Sequence, residues 1–307
     1  MASAAKHLIA GDLVAFPTET VYGLGADASN SAAVARIYSV KGRPNDHPLI
    51  VHIGSMDRMD DWASDVPEYA IALARKFWPG PMTLVLKRSE LAGDFVTGGQ
   101  DTIGVRVPDH VVALALLEAF EKAGGKGVAA PSANRFGHVS PTSASAVVEE
   151  LADYLSKDDL VLDGGVCAVG VESTIIDCTG TAPSVLRPGA ISAAMIEEYT
   201  GLKVMQSGSE IRVSGSLENH YAPVAKVLLC EIPIAGQGFI ALAAIETPEG
   251  VIRLASPIDD EEFARILYSA LRDADARGLS EVVVVQPIGI GIAVAIRDRL
   301  ARAANGR

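Results

Sequence analysis

Apolar segments of strand length alternate with helix-like segments along the first two thirds of the chain. Seven of them predict β-strands, at residues 13–16, 49–53, 83–86, 103–107, 127–130, 160–162 and 174–177. Apolar residues at helical spacing predict four helices, at residues 31–40, 69–77, 110–122 and 143–155. Such alternation is typical of α/β proteins. Because the strands are short and not uniformly apolar, we expect a twisted, mixed, open sheet rather than a purely parallel one.

A stretch rich in glycine and serine, residues 206–224, interrupts this pattern with no sustained helix or strand period. It predicts a linker between two domains, residues 1–205 and residues 225–307. The second domain contains three predicted strands and two predicted helices, at residues 225–230, 239–243, 282–286, 260–275 and 292–303. These elements predict a smaller, Rossmann-like α/β domain.

The composition limits the classes of function. The chain has 307 residues and 49% of them are apolar, which is enough for two hydrophobic cores. Its net charge of -12, without clusters of lysine and arginine, argues against stable direct binding of tRNA or other nucleic acids. An apolar run long enough for a membrane span and a secretory signal are both missing from the pattern. The three cysteines lack the spacing of a zinc site, so we expect a cytoplasmic protein.

Two polar motifs predict a binding pocket. Residues 17–25 (PTETVYGLG) follow the first strand and are expected to form a glycine-jointed loop that exposes its backbone to a ligand. Residues 41–44 (KGRP) place two cations near a helix end, with His47 and His52 shortly after them. Cations at a helix C-terminus are often only solvated charges. Their convergence with imidazoles nevertheless favours a pocket for an anionic substrate, with nucleotide phosphate as the favoured anion.

Further candidates lie at predicted strand ends. Ser132 and Asn134 follow a strand that a proline ends, either as ligand contacts or as an ordinary turn. Ser140 precedes a helix and either caps it or contacts a ligand. Thr102 and Arg106 lie four residues apart on one strand and therefore share a face. An arginine in that position suits recognition of a carboxylate, although a surface ion pair has the same pattern.

Several common catalytic motifs are excluded by spacing. Residues 23–28 (GLGADA) match a dinucleotide-binding pattern, but polar residues separate the preceding strand from the next helix. Residues 289–291 (GIG) are expected to form a turn before the last helix. The chain contains neither a P-loop nor a nucleophile elbow, and no cysteine lies beside a plausible base. Covalent catalysis is therefore not supported.

An ordered set of motifs resembles the L-threonylcarbamoyladenylate synthases, the YrdC-like family. The matching segments are residues 17–25 (PTETVYGLG), 41–44 (KGRP), 48–52 (PLIVH), 78–81 (WPGP), 132–134 (SAN), 170–174 (GVEST) and 186–189 (LRPG). Residues 220–223 (HYAP) and 289–300 (GIGIAVAIRDRL) are similar to the two-domain long form of this family. Seven linked motifs in order make the resemblance specific.

The resemblance implies a nucleotidyltransferase that converts L-threonine, bicarbonate and ATP into threonylcarbamoyl-AMP and pyrophosphate. That product would feed the threonylcarbamoyl-transfer machinery that modifies a tRNA adenosine beside the anticodon. The implied fold has helices and an open sheet around a concave, cationic cavity. Mg²⁺ would accompany ATP, with no protein side chain expected as a metal ligand.

The resemblance also implies roles for individual residues. The implied ATP-binding residues are Lys41, Arg43, His47, Thr102, Ser132, Asn134, Ser140, Arg187 and, from the linker, Tyr221. The implied threonine-binding residues are Thr20, His52, Arg106, Ala130 and Ser173. Two other functions stay open: a noncatalytic RNA-binding module, which the charge balance opposes, and a carbamoyl transferase that uses carbamoyl phosphate on the same fold.

Overall fold

A computed structural model describes residues 1–205, 211–215, 221–229 and 231–306 of the chain. The predicted linker at 206–224 therefore falls partly outside the described residues. His220 and Cys230, which the sequence places in a family motif and in a predicted strand, also lie outside them.

The larger sheet is mixed and contains ten described strands. In chain order they are β1 (Val14–Phe16), β2 (Gly23–Asp27), β3 (Ile50–His52), β4 (Ala63–Ser64), β5 (Met82–Arg88), β6 (Thr102–Arg106), β7 (Val128–Ala129), β8 (Leu160–Val161), β9 (Thr174–Asp177) and β10 (Ser184–Arg187). Their order across the sheet is β10-β9-β5-β6-β3-β7-β2-β1-β8, and β4 pairs with β5. The sheet contains parallel pairs such as β3 with β6 and antiparallel pairs such as β5 with β6. The expected mixed α/β sheet is confirmed.

Eight described α-helices accompany this sheet. They are α1 (Ala2–Ala10), α2 (Ser31–Lys41), α3 (Met59–Trp62), α4 (Glu68–Phe77), α5 (Asp94–Thr97), α6 (Val111–Lys122), α7 (Ala144–Leu151) and α8 (Ala193–Thr200). A short 3₁₀ helix, Met56–Arg58, precedes α3. The four predicted helices correspond to α2, α4, α6 and α7, with α7 ending four residues earlier than expected.

Local chemistry fixes the ends of α2, which leads to the cationic motif. The Asn30 side chain accepts hydrogen bonds from the amides of Ala32 and Ala33 and thereby caps the helix start. Gly42 ends the helix in the left-handed conformation with a φ of 62°, which glycine adopts without steric cost. Lys41 is consequently the last helical residue.

The prediction of a loop over residues 17–25 was wrong for residues 23–25, because β2 begins at Gly23. The strand is buried between β1 and β7. A Cβ atom on Gly25 would lie 2.8 Å from both the Phe16 ring and a Val128 methyl group. The glycine that suggested an exposed ligand loop instead allows close packing between strands.

The smaller sheet has four described strands, all parallel. They are β11 (Lys226–Leu229), β12 (Gly238–Ile240), β13 (Ile252–Ala255) and β14 (Glu281–Val284), in the order β11-β14-β12-β13. The helices α9 (Asp260–Ala276) and α10 (Ile292–Asn305) pack on it. The second, smaller α/β region is therefore confirmed, while β13 was not predicted.

The core of the smaller sheet extends into the first part of the chain. Its apolar cluster contains Phe263 of α9 and Leu300 of α10. Val21, Val139 and Val171, which belong to the loops of the larger sheet, are buried in the same cluster. Apolar burial therefore joins the two regions of the chain.

Two features concern the environment of the protein. Cys167 and Cys178 are buried and free, and burial raises the pKa of both thiols, to about 12 for Cys167. Across the described ranges, none of the helices combines the length and apolarity needed to cross a membrane.

Candidate active site

Segments that are far apart in the sequence meet at a cavity of about 520 Å³, its open mouth included. Three buried arginines line it, Arg43, Arg106 and Arg187, each no more than 6% exposed. Nine of the predicted site residues lie in its wall: Thr20, Arg43, His52, Arg106, Ala130, Ser132, Ser173, Arg187 and Tyr221. Residues predicted to bind ATP and residues predicted to bind threonine therefore lie in the wall of one cavity.

Arg106, the last residue of β6, is held in one orientation by its neighbours. Its Nε donates to the Gly80 carbonyl at 3.2 Å, and its Nη1 donates to Thr20 Oγ1 at 3.0 Å. Nη2 lies 2.6 Å from Glu19 Oε1, close enough for an ion pair but not aligned for a hydrogen bond. The backbone amide of Asp109 fixes the other Glu19 oxygen. This buried network points to a guanidinium that is preorganised for an anionic ligand.

His52 lies beside Arg106 because the parallel register of β3 and β6 pairs the two residues. The imidazole is buried and meets the Phe16 ring edge-on at 6.0 Å. Burial, followed by the charge of Arg106, lowers the pKa of His52 to about 3. Its Nδ1 atom has no hydrogen-bond partner within the described part of the chain. His52 is thus a neutral ring in the wall of the cavity at neutral pH.

Arg43 and Arg187 approach the same serine from different sides. Arg187 donates to the Ser173 carbonyl through Nε and Nη2, and its Nη1 donates to the Ser214 carbonyl at 2.8 Å. Arg43 Nη2 donates to Ser214 Oγ at 3.2 Å and to the Pro48 carbonyl at 3.0 Å. Burial lowers the pKa of Arg43 to about 10, which leaves it charged at neutral pH. Two cations therefore converge on oxygen atoms inside the cavity.

Tyr221 belongs to the predicted linker and lies in the wall of the cavity. Its ring is buried, stacks on Tyr268 with centroids 5.8 Å apart, and lies 5.3 Å from the Arg299 guanidinium carbon. Its backbone has a φ of 63°, an uncommon conformation for a tyrosine. Side chains of α9 and α10 therefore hold this linker residue beside the cavity.

Lys41 does not line the cavity but supports the turn that does. Its Nζ atom is buried and donates to the carbonyls of Ser132 and Asn134 at 2.6 and 2.5 Å. Burial, then the charge of Arg43, lowers the pKa of Lys41. Asn134 in turn donates to the carbonyls of Arg135 and His138. The alternative of a solvated charge at the helix end is wrong for Lys41, since only 2% of it is exposed.

Three other predicted residues lie outside the cavity wall. His47 meets the Phe136 ring edge-on at 5.4 Å, and burial lowers its pKa. Thr102 lines an adjoining apolar groove that shares Ser214 with the cavity. Ser140 Oγ donates to Glu172 Oε1 at 2.6 Å and is fully buried.

Sequence reasoning missed three polar residues that shape this site. Glu19 pairs with Arg106, Glu172 lines the cavity, and Ser214 contacts two of its arginines. Glu19 and Glu172 belong to the motifs at residues 17–25 and 170–174. The sequence of a motif does not indicate which arginine such a carboxylate pairs with. Ser214 follows an unpatterned stretch and carries no signal of its own.

Protein carboxylates do not form a metal cage around the site in the ranges that the structure describes. No group of three or more histidine, cysteine, aspartate or glutamate side chains is placed to hold a metal ion there. Glu19 is paired with an arginine, and Glu172 accepts three hydrogen bonds from its neighbours. These residues fit a metal ion held by phosphate oxygens better than one held by side chains.

Comparison with known proteins gives two matches that together span most of the chain. Residues 6–189 match the family described as telomere recombination. Residues 191–305 match the family described as threonylcarbamoyl-AMP synthase, C-terminal domain.

Similarity to individual proteins extends over the full length. The threonylcarbamoyl-AMP synthase of Pyrococcus abyssi is 41% identical, covering 99% of this chain and 94% of that protein. The protein of the same name from Bacillus subtilis is 37% identical, covering 100% and 93%. A crystal structure of P. abyssi Sua5 complexed with L-threonine superposes with a TM-score of 0.88 at 39% identity, covering 99% of this chain and 94% of that one.

Proposed function

The chain belongs to the threonylcarbamoyl-AMP synthase family, and we propose that it converts L-threonine, bicarbonate and ATP into threonylcarbamoyl-AMP and pyrophosphate. It is accordingly an ATP-using nucleotidyltransferase. The observation that carries the proposal is a cavity in which Arg106 and neutral His52 lie beside Arg43 and Arg187. Such a cavity offers one place for an amino acid carboxylate and another for phosphates.

The threonine subsite is proposed around Arg106. Its guanidinium is fixed by Glu19 and Thr20 and would pair with the threonine carboxylate. His52, which is neutral at neutral pH, lies next to Arg106 in the same wall and would add no charge to this subsite. Ala130 and Ser173 close this part of the cavity wall. The solved P. abyssi Sua5 complex with L-threonine supports threonine as the amino acid.

The ATP subsite is proposed beside Arg43 and Arg187. Their Nη atoms contact the oxygen atoms of Ser214, so they are already directed at oxygen acceptors. Phosphate oxygens would replace these contacts when the segment 211–215 moves aside. Ser132 and Tyr221 also face the cavity, and Thr102 lies in the adjoining groove. Lys41, Asn134 and Ser140 would act by holding the surrounding turns, while His47 lies farther from the cavity.

The chemistry needs positioning more than a protein nucleophile. The threonine amine and bicarbonate would condense to a carbamate with loss of one water molecule, and a carbamate oxygen would then attack the α-phosphate while pyrophosphate leaves. Fixed cations would neutralise charge that develops on the phosphates, and exclusion of water by bound substrates would protect the labile carbamate. Mg²⁺ is proposed to bind through the phosphate oxygens, where it would neutralise further charge.

The partners follow from the product. Threonylcarbamoyl-AMP is a reactive mixed anhydride, so a downstream tRNA threonylcarbamoyl-transfer machinery is proposed to consume it. The net charge of -12 supports transfer without stable direct tRNA binding. Placement in the cytoplasm stays a prediction.

The reaction can be tested with purified protein, ATP, Mg²⁺ and labelled bicarbonate. We expect pyrophosphate release and a labelled nucleotide product only when both threonine and bicarbonate are present. Serine and valine serve as matched amino acids that lack, respectively, the methyl group and the hydroxyl group of threonine. Pyrophosphate release at the same rate without threonine would overturn the proposal. Salt-sensitive tRNA binding with no ATP turnover would support the noncatalytic RNA-binding alternative.

A further inference from the structure

Glu172 is a buried carboxylate that connects the cavity with the smaller sheet. It lines the cavity, and 6% of the residue is exposed. Ser140 Oγ donates to its Oε1 at 2.6 Å. Its Oε2 accepts from Tyr268 Oη and from Arg299 Nε, each at 2.8 Å. Two of these three donors come from α9 and α10. Helices that pack on the smaller sheet therefore hold a carboxylate of the cavity wall in place.

Arg299 is fully buried, and much of its guanidinium reaches across to the loops of the larger sheet. In addition to Glu172, its Nη2 donates to the Pro188 carbonyl at 3.0 Å. Its Nη1 donates to Asp298 Oδ2, the neighbouring residue on α10. An arginine without buried partners usually keeps its guanidinium in water. Arg299 therefore acts at the contact between the two regions.

The pair sets the charge of the cavity wall. Burial works to raise the pKa of Glu172, but the charge of Arg299, then that of Arg187, and the hydrogen bond from Ser140 outweigh it and hold the pKa at about 2. Glu172 is thus ionised at neutral pH, with Arg299 as its directly bonded cation. Without Arg299, the buried negative charge of Glu172 would face the space beside Arg187. The phosphate groups of a nucleotide bound there would be repelled by this charge, and repulsion is strong where water is excluded.

We propose that Arg299 is a positioning residue for the synthase reaction: by neutralising Glu172, it lets the cavity accept the polyanionic phosphates of a nucleotide. The active site is then complete only when α9 and α10 pack against the loops of the larger sheet. This inference rests on the proposed ATP subsite beside Arg187. It assigns the second region a role in substrate binding through Glu172, to which Tyr268 and Arg299 of that region donate hydrogen bonds.

The test compares ligands of graded charge on the full-length protein. ATP, AMP and adenosine are titrated calorimetrically into the unaltered chain and into Arg299→Met, which keeps a long side chain but removes the cation. We expect ATP binding to weaken by about tenfold or more, AMP binding by less, and adenosine binding by less than about twofold. A merely structural defect in the cavity would weaken all three ligands alike.

A double variant separates charge from packing. Glu172→Gln retains hydrogen-bonding groups without the charge, so Glu172→Gln with Arg299→Met is expected to recover most of the ATP affinity. The matched control is Arg297→Met on the same helix, because Arg297 donates to the Pro287 carbonyl within its own region. That control should bind all three ligands as the unaltered chain does.

The outcomes distinguish the two proposals. If the unaltered chain does not bind ATP, the ATP subsite is wrong and this inference fails with it. If the unaltered chain binds ATP, the inference alone is overturned when Arg299→Met binds ATP equally well, weakens every ligand to the same extent, or is not rescued in the double variant. Should Arg299→Met not fold, Glu172→Gln alone decides: ATP binding at least as tight as in the unaltered chain supports the inference, and weaker binding overturns it.

Discussion

Arg106 is the residue on which the proposed threonine subsite depends most directly. Arg106→Lys keeps the positive charge beside Glu19 but loses the planar fork that a carboxylate requires. We expect the Kd for threonine to rise about thirtyfold, which corresponds to the loss of about 2 kcal/mol from charged hydrogen bonds. Isothermal calorimetry measures this change, and the Kd for ATP should stay nearly constant.

Arg88→Lys is the matched control for this substitution. Arg88 pairs with Asp94 at 2.6 Å, and neither residue lines the cavity. An equal change in threonine affinity for both variants would show that Arg106 acts through general stability and not through its contact with the ligand.

His52 predicts a pH dependence of stability. Its pKa is about 3 in the folded chain and about 6.5 in an unfolded chain, so below pH 6.5 the unfolded state binds the proton first. The free energy of unfolding therefore falls as the pH falls from 6.5, by up to about 1.4 kcal/mol per pH unit. His47 contributes with the same sign because its pKa is also lowered.

Urea unfolding between pH 7 and pH 5 measures this slope. The range stays above the pH at which the lowered pKa of Glu172 would add its own loss of stability. His52→Gln should flatten the slope. Equal slopes for His52→Gln and the unaltered chain would contradict the assignment of a neutral, buried imidazole.

At the level of single residues, the sequence predicted which types of side chain meet but not how each is used. The shared face of Thr102 and Arg106 follows from the strand period alone, and both face the cavity or its adjoining groove. Lys41 carries the same charge as Arg43, yet the carbonyls of the 132–134 turn occupy its Nζ. Such contacts depend on distances that no sequence period encodes.

The strand β2 tests how tightly the larger sheet is packed. Gly25→Ala would place a Cβ atom 2.8 Å from Phe16 and Val128 and 3.0 Å from the Val14 carbonyl. We expect a loss of about 1–3 kcal/mol in the free energy of unfolding, since a well-packed core does not yield to an added methyl group. Gly104→Ala in β6 is the control, because its Cβ would meet its nearest neighbours at 3.4 Å. If both variants unfold at the same urea concentration, packing does not explain the glycine in β2.

Elements with a strong local signal were predicted well, and those fixed by tertiary packing were not. The helix α2 has a capping asparagine at its start and glycine after its end, and its bounds differ from the prediction by one residue. The strand β2 contains two glycines and one aspartate, a composition that favours turns in isolation. Its neighbours β1 and β7 supply the hydrogen bonds and the burial that make it a strand.

At the scale of the whole molecule, two domains that look separate in sequence share apolar and charged contacts. Val21, Val139 and Val171 are buried in the cluster that α9 and α10 complete. Arg299 lies between Ile296 and Leu300 in an otherwise amphipathic helix, where the sequence alone gives no reason for its burial. The approach of Glu172 from 127 positions earlier, together with the Pro188 carbonyl, explains it. Long-range pairing of this kind is the part of the fold that sequence patterns leave open.

The coupling between the two regions can be measured with a truncated chain. In the full chain, Glu172→Gln removes one of the two carboxylates that pair with the buried Arg299, leaving Asp298, and should lower the free energy of unfolding by about 2 kcal/mol. In residues 1–224, water replaces Arg299 and Tyr268 around Glu172, so the same substitution should change stability by less than about 0.5 kcal/mol. The truncated chain itself should unfold at a lower urea concentration because Val21, Val139 and Val171 lose their apolar cover. An equal effect of Glu172→Gln in both chains would mean that the carboxylate serves the larger sheet alone.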